Sequence, residues 1–258
     1  MNISLINIFL LLIPLLLLIW GLKFFRINLL HKTIISVIRM VTQLLLVGVY
    51  LEYIFKFNNP FINLAYILVM LGVATFSAIE MANLSYKKLV LPIFSSMFLS
   101  WLIVYSIYQL MILPNTDYFQ ARYMIPVSGM LMGNILKGQI ILLNNFFNEI
   151  RENETSYFYL LSMGATKLEA LKGFYKDAIT ASIKPDLGNM ATIGLVSLPG
   201  MMTGQILAGA SPFVAIKYQI SIMIAIFSIR IISLVFTVFV VNKVCFDKFS
   251  RLRIDVFR

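Results

Sequence analysis

Two apolar segments of this sequence share a pattern of glycine, methionine and a side-chain amide. One reads Gly-Met-Leu-Met-Gly-Asn-Ile from Gly129, the other reads Gly-Met-Met-Thr-Gly-Gln-Ile from Gly200, and a proline precedes each. A thioether is a soft ligand, and an amide oxygen can replace a water of hydration without adding charge. The pattern therefore predicts a weak, transient site for a passing cation. The candidate path residues in the two motifs are Met130, Asn134, Pro199, Gly200, Met201, Met202, Thr203 and Gln205.

Close helix packing is the competing interpretation of both motifs. Glycines four residues apart let two membrane helices approach each other. The upstream prolines, Pro126 and Pro199, loosen backbone hydrogen bonds that nearby hydroxyl or amide groups can take up. Methionine also suits copper(I) better than iron, so the motifs alone leave packing and cation passage open.

Three further polar residues fall within apolar segments, namely Glu80, Arg39 and Gln43. Ionisable groups inside a membrane are costly and usually face a cavity or a partner. Glu80 either pairs with Lys87 or Lys88 at the membrane surface or faces Arg39 at a cytoplasmic gate. Arg39 and Gln43, one helical turn apart, serve either as surface anchors or as part of that gate.

Signatures of catalysis are missing from the sequence. It contains no Walker A loop, no Gly-x-Ser-x-Gly elbow, and no zinc-protease or dinucleotide motif. The sequence therefore predicts a non-catalytic chain that binds no cofactor itself. If it pumps, another polypeptide supplies the energy.

Residues 144–185 form the one long polar stretch, with mixed charges and apolar residues at helical spacing. Gly164 is typical of a helix C-terminus, while Thr166 with Glu169 predicts an N-terminal capping box. We expect a helix, a tight turn and a second helix. The segment either lies on the membrane surface or docks onto a cytoplasmic partner.

These segments belong to a strongly apolar chain. Of the 258 residues, 60% are hydrophobic and 12% are charged, and the mean hydropathy is +0.90. Long unbroken apolar runs indicate an all-α, polytopic transmembrane helical bundle in one transmembrane domain, residues 1–258. The net charge of +10 lies in short clusters between these runs, which argues against nucleic-acid binding.

Seven spans are predicted, and the basic clusters orient them. The spans cover about residues 4–22, 34–55, 61–83, 90–113, 121–143, 187–208 and 218–241. Four segments are basic, namely the loop after the first span, the loop after the third span, the polar stretch and the C-terminal tail. The positive-inside rule then places the N-terminus outside and the C-terminus inside.

Several segments resemble the FetB-like family of ABC transporter permeases. The resemblance is strongest from Leu198 to Gly209 and from Ala215 to Ile220, and it extends to residues 39–48, 125–134 and 161–166. Bacterial members of that family are associated with iron export and plant members with aluminium tolerance.

The resemblance implies a multi-pass permease of the inner or plasma membrane that exports a metal ion, iron in the first instance, and supports peroxide resistance. It implies a permease homodimer in membrane lipid and a cytoplasmic ABC ATPase that carries the ATP-Mg. The implied ATPase-coupling residues are Glu154, Met163, Gly164, Ala165 and Thr166. Phe158 and Tyr159 stand where the family often has an acidic residue, and Glu154 lies further back.

Two alternatives remain at this stage. The chain is an ABC permease for another solute, such as a nucleotide sugar or a lipid, or it is a secondary transporter or channel that works without ATP. Proton-coupled carriers usually need several titratable groups within the membrane, and few such groups are evident here.

Overall fold

The computed structural model describes residues 10, 13–114, 116–247 and 249–257. Within these residues the chain is all-helical, with nine α-helices and one 3-10 turn, which confirms the predicted fold class. They are α1 Ile13–Phe24, α2 Leu30–Phe57, α3 Pro60–Met81, α4 Tyr86–Ile112, α5 Ala121–Glu152, α6 Glu154–Ser162, α7 Lys167–Thr192, α8 Gly200–Leu207, α9 Pro212–Val244 and the 3-10 turn Ile254–Val256.

The chain divides into two compact units, Met1–Phe57 and Asn58–Arg258. The first unit contains α1 and α2. Helix α2 is mainly apolar and almost wholly exposed, as expected of a helix whose sides meet lipid or another chain. The second unit contains α3 to α9 and the candidate site described below.

Five helices among the described residues are long and apolar enough to cross a membrane: α2, α3, α4, α5 and α9. They coincide with the predicted second, third, fourth, fifth and seventh spans. The predicted first span begins outside the described residues, and its described part lies in α1.

The predicted sixth span, about residues 187–208, is wrong as one continuous helix. Helix α7 runs through Pro185 to Thr192, and a separate short helix, α8, begins only at Gly200. Gly194 has a φ of +87°, a left-handed conformation that a helix cannot contain, and Pro199 precedes the new helix. The helix of the predicted fifth span is also longer than expected, because α5 continues without a break past residue 143 to Glu152 and so includes the start of the polar stretch.

Polar side chains bind α4, α5 and α9 together inside the second unit. The Gln139 Nε2 group donates to Thr237 Oγ1 at 2.8 Å and to Ser233 Oγ at 2.7 Å. The Ser96 and Thr237 hydroxyls lie 2.7 Å apart. All four side chains are buried, so no water competes for these hydrogen bonds. They fix the register in which α9 faces α5.

The C-terminal tail, residues 245–257, folds back onto two other segments. The Ser85 amide donates to the Val256 carbonyl at 2.8 Å, beside an ion pair between Lys88 and Asp255. The Tyr157 hydroxyl donates to the Ser250 carbonyl at 2.6 Å. The tail therefore joins the α3–α4 loop to helix α6.

Candidate functional site

The α6–α7 hairpin closes through two helix caps. The Gly164 amide donates to the Leu161 carbonyl and the Ala165 amide to the Leu160 carbonyl, both at 3.1 Å, with Gly164 at a φ of +91°. This is a Schellman motif, in which a left-handed glycine satisfies the last carbonyls of a helix. Helix, tight turn and helix are confirmed as the local structure.

Helix α7 begins with the predicted capping box. The Thr166 hydroxyl accepts from the Glu169 amide, while the Glu169 carboxylate accepts from the Thr166 amide at 2.8 Å and hydroxyl at 2.7 Å. These hydrogen bonds favour the ionised carboxylate and lower the pKa of Glu169 below its ordinary value. The turn is therefore defined by its own local sequence.

Apolar side chains surround the turn and point away from the rest of the unit. The exposed fractions are 63% for Tyr159, 71% for Met163 and 57% for Leu168. A group of exposed apolar side chains at one turn is suited to contact a partner or the membrane surface. We call Tyr159, Leu160, Met163 and Leu168 the turn surface.

Two anchors hold the hairpin to the rest of the second unit. Lys167 Nζ donates to the Asn242 carbonyl at 2.9 Å, near the end of α9. Tyr157 is buried and bonds to the tail, and its burial raises the pKa of its hydroxyl to about 12. Tyr157 therefore remains a neutral donor throughout the physiological pH range. A displacement of the turn would thus be transmitted to α9 and to the tail.

Glu154 does not lie at the turn. Glu154 is the first residue of α6. With Arg151, Tyr157 and Phe257 it lines a cavity of about 210 Å³ beside the C-terminal tail. Eight residues of helix, about 12 Å at 1.5 Å per residue, separate it from Ser162. The predicted coupling residues Met163 to Thr166 cluster together, and Glu154 is apart from them.

An ion pair between α7 and α9 forms the second notable feature of this unit. Arg230 is 3% exposed, and its Nη1 lies 2.5 Å from Asp186 Oδ2. Arg230 lies eighteen residues after the start of α9 and fourteen before its end, about 27 Å and about 21 Å of helix. It is therefore near the middle of a helix long enough to cross a bilayer. A charge at such depth requires a partner, and Asp186 supplies it.

The rest of the guanidinium is loosely held. Its Nη groups approach the Ser182 carbonyl at 3.4 Å and Asn134 Oδ1 at 3.5 Å, which are long for hydrogen bonds. Its Nε is buried without a hydrogen-bond partner among the described residues. The aliphatic stem lies over Gly138, where an added Cβ would be 3.1 Å from Arg230 Cγ.

A cavity of about 110 Å³ opens beside this ion pair. Its lining combines one carboxylate, two amides, two thioethers and two apolar side chains. These residues are Asp186, Asn134, Asn189, Met190, Met223, Ile226 and Phe227. Carboxylate and amide oxygens are hard ligands and thioethers are soft ones, so the lining could contact a cation but does not favour one metal. The cavity exceeds the roughly 30 Å³ that one water occupies in the liquid, so it has room for a cation with a water.

The two sequence motifs occupy different places. Asn134, from the first motif, lines the cavity, and its Nδ2 donates to the Met130 carbonyl at 2.8 Å. The second motif forms α8, which packs chiefly against α9. There the Thr203 hydroxyl donates to the Pro199 carbonyl at 3.1 Å. Gln205 Oε1 is buried without a hydrogen-bond partner among the described residues.

The motif glycines give little support to close packing within one chain. An added Cβ would meet no neighbour within 4 Å at Gly133, Gly200 or Gly204. At Gly129 it would lie 3.4 Å from Met70 Cε, an ordinary contact. The glycine that makes close contact is Gly138, which belongs to neither motif.

The predicted gate residues are exposed. Arg39 and Gln43 lie on α2, and Glu80 lies in the last turn of α3. In the part of the chain that the structure describes, Glu80 forms no ion pair with Lys87 or Lys88, and Lys88 pairs instead with Asp255. The roles of Arg39, Gln43 and Glu80 stay predictions.

Comparison with known proteins decides the family. The Uncharacterised protein family UPF0014 matches residues 3–246 of the chain. The chain belongs to this family. It is a multi-pass membrane protein, as its five candidate spans and its relatives indicate.

Three relatives match most of the chain. The chain is 36% identical over 206 residues to UPF0014 membrane protein YjkA of Bacillus subtilis, covering 78% of this chain and 79% of that protein. It is 34% identical to Protein ALUMINUM SENSITIVE 3 of Arabidopsis thaliana, covering 88% and 81%. It is 32% identical to the "Probable iron export permease protein FetB" of Escherichia coli, covering 75% and 73%. No solved structure gives a significant match.

Sequence reasoning about this family member missed Asp186 and Arg230. Arg230 interrupts an apolar run of more than twenty residues, and a buried charge in such a run is a functional signal by itself. Asp186 fell between the polar stretch, which ended at residue 185, and the predicted sixth span, which began at about residue 187. The pairing of residues 44 positions apart has no signal in a single sequence.

Proposed function

We propose that this chain is the membrane subunit of an ABC transporter that exports a metal ion, with iron as the first candidate, and that a separate cytoplasmic ATPase supplies the energy. The observation that carries the proposal is the turn surface. It is apolar, exposed and rigidly capped, and it is anchored to the transmembrane helix α9 through Lys167. Such a segment is suited to transmit movement of a docked ATPase to the membrane helices.

The name of one relative supports the substrate and the direction. The Escherichia coli protein is named as an iron export permease, and the Arabidopsis protein is named for aluminium sensitivity. The cavity beside Asp186 supports a cation as the solute, because its lining offers a carboxylate, amides and thioethers.

The proposed topology has the N-terminus outside and the C-terminus inside. Three of the four segments predicted to be cytoplasmic are connected, because the tail bonds both to the α3–α4 loop and to the hairpin. The two loops predicted to be outside also meet, since the Asn58 amide oxygen accepts from the Ala121 amide at 2.8 Å. Helix α7, the break and α8 together take the place of the predicted sixth span. Labelling of single cysteines from each side of the membrane tests this arrangement.

Co-purification with the ATPase tests the proposed docking. Gly164→Val forces a β-branched residue into a left-handed conformation, and Met163→Glu puts a charge on the turn surface without altering the fold. We expect both variants to lose the ATPase during affinity purification.

Gly173→Ala is the matched control for these variants, because Gly173 lies inside α7 with open space around it. This control should retain the ATPase. Retention of the ATPase by both turn variants would contradict docking at the turn.

A further inference from the structure

The ion pair between Arg230 and Asp186 suggests how a cation would enter and leave the cavity. Asp186 belongs to the cavity lining, and Arg230 Nη1 lies 2.5 Å from its carboxylate oxygen Oδ2. A metal ion and a guanidinium cannot both bind the same carboxylate closely without strong repulsion in a region of low dielectric constant.

We propose that Arg230 is a resident counter-ion of a divalent-cation site formed by Asp186, Asn134 and Asn189, and that the transported cation binds by displacing Arg230 from Asp186. This inference rests on the proposed transport of a metal ion. In the empty site the arginine neutralises the carboxylate, and in the loaded site the metal takes over that role.

The contacts of Arg230 make displacement feasible. Only the bond to Asp186 is short, while the approaches to Ser182 and Asn134 are 3.4 and 3.5 Å and Nε has no partner among the described residues. Gly138 lies against the stem, where an added Cβ would come within 3.1 Å of Arg230 Cγ, so a larger residue there would hinder movement of the side chain. The guanidinium is held mainly by the one group that the cation would claim.

Displacement would also alter the contact between helices. Arg230 is on α9, Asp186 on α7 and Asn134 on α5, so the guanidinium connects three helices. Helix α7 begins at the coupling turn, and its first residue, Lys167, bonds to the end of α9. Occupation of the cavity would therefore change the α7–α9 contact that the turn also controls.

The counter-ion would also make cation binding weak and reversible. A free carboxylate inside the membrane would hold a divalent cation tightly, whereas a carboxylate that must first release an arginine binds it less tightly. A transport site must bind its cargo well enough to receive it and weakly enough to release it.

Equilibrium binding of ferrous iron to the purified full chain in detergent, under anaerobic conditions and without the ATPase, tests the inference. Because Arg230→Gln frees the carboxylate, we expect ferrous iron to bind about tenfold more tightly than to the unaltered chain. Asp186→Asn should weaken binding by about tenfold or more. The double variant, which removes both charges, should bind as weakly as Asp186→Asn.

Lys184→Gln is the matched control, because Lys184 is an exposed cation two residues from Asp186 on the same helix. It should leave the affinity nearly unchanged. If Arg230→Gln does not yield folded protein, Arg230→Lys takes its place. Lysine keeps the charge but cannot contact Asp186 and Asn134 together, so binding should tighten by a smaller factor.

Equal or weaker binding in the arginine variants would overturn the counter-ion role, and full binding by Asp186→Asn would overturn the site. The outcome is separate from that of the proposed function. Correct binding shifts without ATP-dependent transport would leave the site standing and refute the exporter. ATP-dependent transport that is unchanged when Asp186 is substituted would leave the exporter standing and refute the site.

Discussion

At the scale of single residues, the most informative position is Gly138. It lies in α5 directly beneath the stem of Arg230, and a Cβ there would come within 3.1 to 3.4 Å of three atoms of that side chain. Gly133 is in the same helix and has no neighbour within 4 Å of an added Cβ. The two glycines therefore separate the effect of helix propensity from the effect of the arginine.

We predict that Gly133→Ala stabilises the protein and that Gly138→Ala does not. Alanine in a helix interior gains about 1 kcal/mol over glycine, but at Gly138 this gain is offset because the guanidinium must shift away from Asp186. Thermal unfolding in detergent measures the difference. A rise in melting temperature that is equal for both variants would contradict the close approach of Arg230.

The capping box at Thr166 gives a prediction for pH. Hydrogen bonds from Thr166 lower the pKa of Glu169, so the folded state favours the ionised carboxylate. The stabilisation is thus complete above the unfolded pKa, about 4.3, and is lost as the pH falls through the lower folded value. We expect hydrogen-exchange protection at the start of α7 to decrease on acidification below about pH 4.

Thr166→Ala should lower that protection at neutral pH and flatten its dependence on pH. Glu154→Gln is the control, since Glu154 is an exposed glutamate in a first helical turn that takes no part in the box. An unchanged pH profile in Thr166→Ala would show that Glu169 is not held by this cap.

At the scale of elements, the tail and the hairpin depend on each other. Tyr157 is buried in α6, and its hydroxyl bonds to the Ser250 carbonyl at 2.6 Å. We predict that Tyr157→Phe destabilises the hairpin by about 1 kcal/mol, the usual contribution of such a hydrogen bond, and increases proteolysis of the tail. Tyr159→Phe, at an exposed position of the same helix, should change neither property. Equal effects of the two variants would exclude the tail as a support of α6.

The sequence predicted those elements whose signals are local. Gly164, Thr166 and Glu169 define the turn by their own backbone preferences, and the apolar runs define the five long helices. The break between α7 and α8 was missed, although Gly194 and Pro199 mark it, because the apolar run around them continues. Helix α7 also continues through Pro185, where the predicted polar stretch ends, and this helix packs against α5.

The candidate site was only partly predictable for a related reason. Asn134 was found because it belongs to a repeated motif. Asp186, Asn189 and Met223 come from two other helices, and only the folded chain brings them to one cavity. A pairing such as Asp186 with Arg230 depends on helix register, which is set by interior bonds like that of Gln139 to Thr237.

At the scale of the whole molecule, the proposed function requires a second polypeptide that supplies the energy. A capped turn offers an exposed apolar surface, and α7 leads from that turn to an ion pair inside the membrane. A displacement of the turn would be transmitted to the cavity through α7 and through the Lys167 contact with α9. The chain itself carries no motif for ATP hydrolysis.

The measurement that tests this most directly is metal movement in vesicles containing the chain with its ATPase, the chain alone, or the complex with Gly164→Val. We predict ATP-dependent movement of ferrous iron, away from the side on which the ATPase is bound, by the complete complex only. Transport by the chain alone, or ATP-dependent transport that ignores a panel of metals and moves another solute, would contradict the account.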